Sequence, residues 1–290
     1  MTIETALGII GYPIGHSISP LFQQAALDRL SVPHRYRAYE VHPDSVGDFV
    51  ASLRSEDALG INVTVPHKEA VMPFLDDIDD WAAEAGAVNT IVNREGRLTG
   101  YNTDGYGFLR ALTDEGDLDP AGKRVLVLGA GGSARGVVQA LVRAGVGRLD
   151  IANRTLARAE SLAELAQQRN VPAGATPLDP GQLSEAAEAA DLIVNCTSLG
   201  MRHGPDETAS PLTAPQIPSG SLVYDLVYNP MLTPLLQEAQ LAGAKTLGGI
   251  SMLVYQGAAS FELWLQRPAP VSDMMDAALA AMRAREAETQ

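Results

Sequence analysis

Cysteine is almost absent from this chain: Cys196 stands alone among 290 residues. One thiol excludes an internal disulfide framework and any metal cage built from several cysteines, and no metal site is expected. Lysine is nearly as scarce, confined to Lys68, Lys123 and Lys245, the other basic residues being arginine. Positive charge is outweighed, with 21 Lys and Arg against 35 Asp and Glu and a formal net charge of −14. That balance argues against nucleic acid as a partner, because affinity for a phosphate backbone comes chiefly from Lys and Arg. A small anionic substrate stays allowed, since a cleft can carry the opposite local sign. No apolar run approaches the roughly 18 residues of a membrane span, and residues 1–5 lack the basic start of a secretory leader. The expected compartment is the cytoplasm, with no membrane partner; a homodimer is an assembly the sequence allows. Hydrophobic residues at 46% and charged residues at 19% fit a folded protein long enough for two domains.

What is present is alternation. Short apolar runs and helical patterns follow one another, the mark of a βαβ organisation and an α/β fold. Strands are expected over 7–11, 36–41, 60–65, 87–93, 124–128, 148–152, 192–196, 222–226 and 244–247. Helices are expected over 20–30, 45–52, 67–74, 106–113, 136–144, 156–168, 251–266 and 272–286. Ser19 ahead of Pro20 predicts a helix start with a capping hydroxyl. Glu95-Gly96 predicts a tight hairpin turn, glycine supplying the positive φ.

The run Val125-Leu126-Val127-Leu128 is uninterruptedly apolar, as in a strand buried on both faces of a parallel sheet. Gly129, Ala130, Gly131, Gly132, Ser133 and Ala134 follow at once, with a helix behind them. Gly129 permits a tight turn, Gly131 lets backbone approach a pyrophosphate, and Ala134 allows close helix–strand packing. Free N–H groups in that helix's first turn would hold the phosphates. A glycine triplet alone is weak evidence; strand, turn and helix in this order make it a dinucleotide site. An NAD site usually places Asp or Glu at the end of the next strand. Here that position is Asn153, followed by Arg154 and Thr155, with Arg158 one turn on. Asparagine removes the repulsion toward a 2′-phosphate, and arginine grips it with two hydrogen bonds. The expected cofactor is NADP(H).

Three polar clusters sit at the ends of the early strands, where ligands of open α/β sheets gather. They are Ser17 and Ser19 before Pro20, the stretch Asn62-Val63-Thr64-Val65-Pro66-His67-Lys68, and Asn89-Thr90 with Asn102-Thr103-Asp104. With the glycine turn, Asn153-Arg154-Thr155 and the late stretch from Gly249 to Gln256, they resemble the shikimate dehydrogenase family, in the same order from about Ile10 to the last helices. The resemblance implies a substrate domain over 1–105 plus 250–290 and a Rossmann-type, doubly wound NADP-binding domain over 106–249, the C-terminal helices returning to the first. It implies reversible reduction of 3-dehydroshikimate to shikimate by NADPH, a step toward chorismate and the aromatic amino acids. By the same resemblance Lys68 and Asp104 are the catalytic pair, and Ser17 and Ser19 hold the substrate carboxylate. Asn62, Thr64, Asn89, Tyr228 and Gln256 complete the substrate site, while Thr197 and Gly249 line the nicotinamide. Whether Lys68 gives the proton directly or orients a water stays open. Cys196 reads as a small core side chain.

Rival readings are a quinate or aminoshikimate dehydrogenase of the same family, and a non-catalytic dinucleotide or metabolite sensor. A sensor is expected to lack an acid–base pair, and Lys68 and Asp104 are both present.

Overall fold

The computed structural model describes residues 7–288 apart from His203; residues 1–5, read above for a leader, lie outside the described residues. The chain divides into two compact units, Met1–Gly107 with Val254–Gln290, and Phe108–Leu253.

The first unit holds β1 (Leu7–Gly11), α1 (Ser19–Arg29), β2 (Tyr36–Glu40), α2 (Val46–Ser52), β3 (Gly60–Val63), β4 (Asp77–Ile78), α3 (Asp80–Ala85), β5 (Thr90–Arg94), β6 (Arg97–Tyr101) and the start of α4 (Asp104–Asp114). Its sheet has the order β2-β1-β3-β5-β6-β4. β1 lies parallel to both β2 and β3, so the chain goes one way from β1 and then the other, leaving a switch point between β1 and β3. β5 alone runs against the other strands: Thr90 at its start pairs with Asn62 at the end of β3 and with Tyr101 at the end of β6. One sheet edge therefore collects the ends of β1, β3 and β6 and the beginning of β5. The hairpin between β5 and β6 turns at Glu95 and Gly96, with φ of 53° and 84°. Ile10, Val50, Ile61, Ile91 and Leu98 form a core on this sheet, each such side chain contributing about 1.5–3 kcal/mol by leaving water.

Two local expectations are corrected here. Residues 67–74 do not form a helix. The Val71 N–H reaches the His67 carbonyl once, and a short 3-10 turn at Met72–Phe74 follows. Pro73 has no N–H to continue an α-helical ladder. Ser19 is not a helix cap: α1 already includes it, and the Ser17 hydroxyl accepts the Ser19 N–H at 3.2 Å instead.

The second unit runs from within α4 through β7 (Arg124–Leu128), α5 (Gly132–Arg143), β8 (Arg148–Asn153), α6 (Leu156–Gln167), β9 (Ala173–Pro177), α7 (Pro180–Glu188), β10 (Leu192–Asn195), β11 (Leu222–Asp225), α8 (Pro234–Leu241) and β12 (Lys245–Gly248) into α9 (Gly249–Leu265). Its six strands are all parallel, in the order β12-β11-β10-β7-β8-β9. Read from β9, that is the 3-2-1-4-5-6 arrangement of a Rossmann fold, with the ligand crevice outside the carboxyl ends of β7 and β10. The end of α9 and all of α10 (Val271–Glu288) belong to the first unit.

Candidate active site

Lys68 lies in the turn after β3, and Asp104 is the first residue of α4, where the helix dipole favours a carboxylate. The reversed hairpin brings them to one edge: Lys68 Nζ is 2.6 Å from Asp104 Oδ2, with about a quarter of each side chain exposed. Asn89 donates to the other carboxylate oxygen at 2.8 Å, and Gln256 Oε1 is 3.4 Å from the same amide nitrogen. The Asp104 N–H donates to Asn102 Oδ1 at 3.0 Å at the start of α4. Both oxygens of the carboxylate are thus held, and the lysine is tied to one of them.

Beneath this pair runs a buried polar network. Asn89 is 2% exposed and donates also to Thr103 Oγ1, while its Oδ1 accepts from the Thr103 N–H and the Thr90 hydroxyl. Ser260 on α9, fully buried, bonds Thr90 at 2.7 Å and accepts from Asn62 at 2.9 Å. Asn62 donates further to Thr90 and to the Asn89 carbonyl, and accepts from the Tyr36 hydroxyl at 2.7 Å. Burial raises the Tyr36 pKa well above its ordinary value, so this phenol stays a donor. His67 is fully buried with Nε2 2.7 Å from the Val41 carbonyl. A carbonyl only accepts, so Nε2 carries the hydrogen and His67 anchors the turn that presents Lys68.

Ser17 and Ser19 lie after β1, across the switch point from Lys68. The Ser17 hydroxyl accepts one backbone N–H and keeps its own hydrogen; the Ser19 hydroxyl has no partner among the described residues. Thr64 packs against Gly11, whose imagined Cβ would lie 2.7 Å from the threonine methyl.

In the second unit the glycine turn starts with Gly129 at a φ of +103°, a conformation that favours glycine. Its N–H donates to the Ala152 carbonyl, and the Ala130 N–H donates to Asn153 Oδ1. α5 then opens at Gly132, four residues earlier than its expected start, with no side chain capping its first turn. A Cβ at Gly131 or Gly132 would meet nothing within 4 Å, whereas Ala134 is fully buried behind them. Uncapped amides facing open space suit a pyrophosphate. Arg154, Thr155 and Arg158 are exposed, and both guanidinium groups are without an ion pair among the described residues. An unpaired arginine beside a neutral Asn153 fits a 2′-phosphate and offers a ribose diol no carboxylate. Thr197 follows β10 at the crevice, a Cβ on Gly129 falling 3.1 Å from its methyl. Tyr228 is half-buried after β11, and Gly249 is buried where a Cβ would come within 2.2 Å of the Leu226 carbonyl.

Three family models cover most of the chain: a shikimate dehydrogenase substrate binding domain over residues 9–91, shikimate / quinate 5-dehydrogenase over 113–203, and a shikimate 5'-dehydrogenase C-terminal domain over 249–279. The chain is also 48% identical over 281 residues to the shikimate dehydrogenase (NADP(+)) of Symbiobacterium thermophilum, covering 95% of this chain and 94% of that one. The chain belongs to the shikimate dehydrogenase family. Among solved structures, shikimate 5-dehydrogenase from Thermus thermophilus, in complex with NADP(H) and shikimate, is 38% identical with a TM-score of 0.83, covering 95% of this chain and 98% of that one. Quinate dehydrogenase from Corynebacterium glutamicum, in complex with NAD, is 31% identical with a TM-score of 0.84, covering 94% and 98%.

Against the family pattern, the structure joins Lys68, Asn89, Asp104 and Gln256 directly and puts Ser17, Ser19 and Thr64 on neighbouring loops of the same edge. Asn62 and Asn89 have a different look from simple ligands. At 5% and 2% exposure, each has its amide hydrogens engaged inside the protein, so a ring-hydroxyl contact would have to displace one of these bonds. Asn153 likewise spends its oxygen on the glycine turn and its nitrogen on the Thr155 carbonyl. Ser260 and Tyr36 lie outside the sequence motifs. Ser260 had a visible signal, a hydroxyl four residues after Gln256, hence on the same helix face, in an otherwise apolar stretch.

Proposed function

We propose that this chain catalyses the reversible, NADPH-dependent reduction of 3-dehydroshikimate to shikimate, with Lys68 and Asp104 as its acid–base pair. The observation that carries this reading is the 2.6 Å contact between the two, braced by Asn89 at the sheet edge where ligands of such folds bind. NADPH, when bound, supplies the hydride. Charge then builds on the ketone oxygen, which has to be stabilised and protonated. Lys68 Nζ carries three hydrogens, of which Asp104 takes one, leaving N–H groups for that oxygen. A positioned donor of this kind contributes roughly 10²–10⁴-fold to the rate. Asp104 keeps the ammonium in place. Ser17 and Ser19 offer two hydroxyl hydrogens to the substrate carboxylate, near the start of α1 where partial positive charge helps. Thr64 and Gln256 serve ring hydroxyls, and Asn62 and Asn89 hold the frame while offering exchangeable bonds. In the second unit, the first-turn amides of α5 and residues 129–134 receive the pyrophosphate, Arg154 and Arg158 the 2′-phosphate, and Thr197 and Gly249 the nicotinamide side.

The decisive experiment is a two-by-two rate matrix of shikimate and quinate against NADP and NAD. Turnover is expected to be highest with shikimate and NADP. Activity in none of the four combinations overturns the catalytic reading in favour of a sensor. A quinate preference is the second reading, favoured by the likeness to a solved quinate dehydrogenase; in the same matrix it is expected to show as faster turnover with quinate than with shikimate, the mark of a site that pairs with the extra ring hydroxyl.

A further inference from the structure

The mechanism above makes no use of one buried ionisable group. Asp225, the last residue of β11, is fully buried. Its Oδ1 accepts the Asn195 amide at 2.9 Å and the Val227 N–H at 3.0 Å, and its Oδ2 accepts the Thr233 hydroxyl at 2.6 Å. Three donors are what a buried carboxylate needs to offset lost hydration. These donors come from three places: the end of β10, the loop leading to Tyr228, and the N-cap of α8. Asn195 passes the constraint on. It is itself fully buried, and its Oδ1 accepts both the N–H and the hydroxyl of Thr197, at 3.0 and 2.7 Å. Thr197 in turn abuts Gly129 at the opening of the glycine turn. The register agrees, since Asn195 pairs with Asp225 on one side and with Leu128, the residue before that turn, on the other.

We propose that Asp225 is a positioning residue for the nicotinamide half of the cofactor site, fixing Thr197 against the glycine turn through Asn195 and fixing the 226–228 loop through Val227. The inference rests on the assignment of Thr197 to the nicotinamide side made above. Asp225 reaches neither the glycine-turn amides of α5 nor Arg154 by any hydrogen bond among the described residues. The adenosine end of the cofactor is therefore held independently of it.

Asp225→Asn keeps the size and removes one of the two accepting oxygens. In the full-length enzyme, kcat and the KM values for NADP and shikimate would be measured, with the inhibition constant of 2′,5′-ADP, which carries only the adenosine half. The expected result is a loss of about tenfold or more in kcat/KM for NADP, the scale of one charge-assisted hydrogen bond, with 2′,5′-ADP inhibition unchanged. Parental kinetics in the variant overturn the proposal, as does a parallel weakening of NADP and 2′,5′-ADP. If Asp225→Asn does not fold, Thr233→Val, which removes only the Oδ2 donor, is expected to show the same split at smaller amplitude; parental values there overturn the proposal equally. A parent enzyme that 2′,5′-ADP fails to inhibit overturns the Arg154 assignment instead, and so identifies which reading has failed.

Discussion

Lys68 and Asp104 form a short ion pair with about a quarter of each side chain exposed. On the function proposed above, their value lies in the reaction. Lys68→Ala is accordingly expected to lower kcat by at least about 10²-fold, the range of a lost general acid, while the KM for shikimate changes little. Near-parental turnover in steady-state assays would remove Lys68 from the chemistry. A contrasting carboxylate is Asp76. Arg54 donates to both its oxygens and also to the carbonyls of Phe74 and Gly96, clamping the hairpin turn. The Arg54 hydrogen bond holds the Asp76 pKa below its ordinary value, helped by the Leu98 N–H. A depressed carboxylate pKa means stability that is present above the unfolded pKa and lost as pH falls through the folded one. Asp76→Asn should therefore melt lower than the parent at neutral pH, the two curves converging in acid; a constant gap down to low pH in thermal scans would show that the ion pair is not the cause. Cys196 is the reverse case. It is half-buried rather than a core side chain, and burial, then the nearby Asp225 charge, push its pKa up.

At the scale of elements, legibility followed burial. The strand Arg124–Leu128 announced itself because four of its five residues are buried and none is polar except the first. The strand Ala173–Pro177 escaped because it forms a sheet edge, half-exposed throughout and containing glycine and proline. Thr233 before Pro234 carries the same start signal as Ser19 before Pro20, and at Thr233 the chain follows it: the hydroxyl caps α8 by accepting the Leu236 N–H. At Ser19 the chain turned one residue earlier, a tertiary choice that local chemistry does not reveal. The candidate site was legible as residue types but not as a network, since only the fold makes Ser260 the neighbour of Asn62 and Thr90. Two predictions belong here. Arg154→Ala at the start of the loop into α6 should weaken NADPH while hardly altering NADH; equal losses with both in parallel titrations would mean it does not touch the 2′-phosphate. Gly249→Ala at the start of α9 drives a methyl to within 2.2 Å of the Leu226 carbonyl, and overpacking of that kind costs on the order of 1–3 kcal/mol. A variant as stable as the parent in denaturant titrations would show that the loop yields freely.

For the whole molecule, the acidic balance governs behaviour more than chemistry. A pI near 4.7 and a net charge of −14 imply mutual repulsion at neutral pH. Solubility is expected to fall to a minimum close to that pI and recover on either side; a flat solubility profile by light scattering would contradict it. Within the described residues no helix is long and apolar enough to cross a membrane. The division of the chain has a further consequence, which concerns time. The second unit is one continuous stretch, whereas the first is opened by Met1–Gly107 and closed only by Val254–Gln290. Ser260, which satisfies Asn62 and Thr90, and Trp264, whose indole donates to the Ile91 carbonyl beside Gly60, both lie in that closing stretch. A ribosome therefore completes the second unit before the first, because Ser260 and Trp264, the partners of Asn62, Thr90 and the Ile91 carbonyl, are made only after residue 253. A chain cut short after residue 253 would hold a continuous second unit and lack the α9 side chains that brace Asn62, Thr90 and the Ile91 carbonyl.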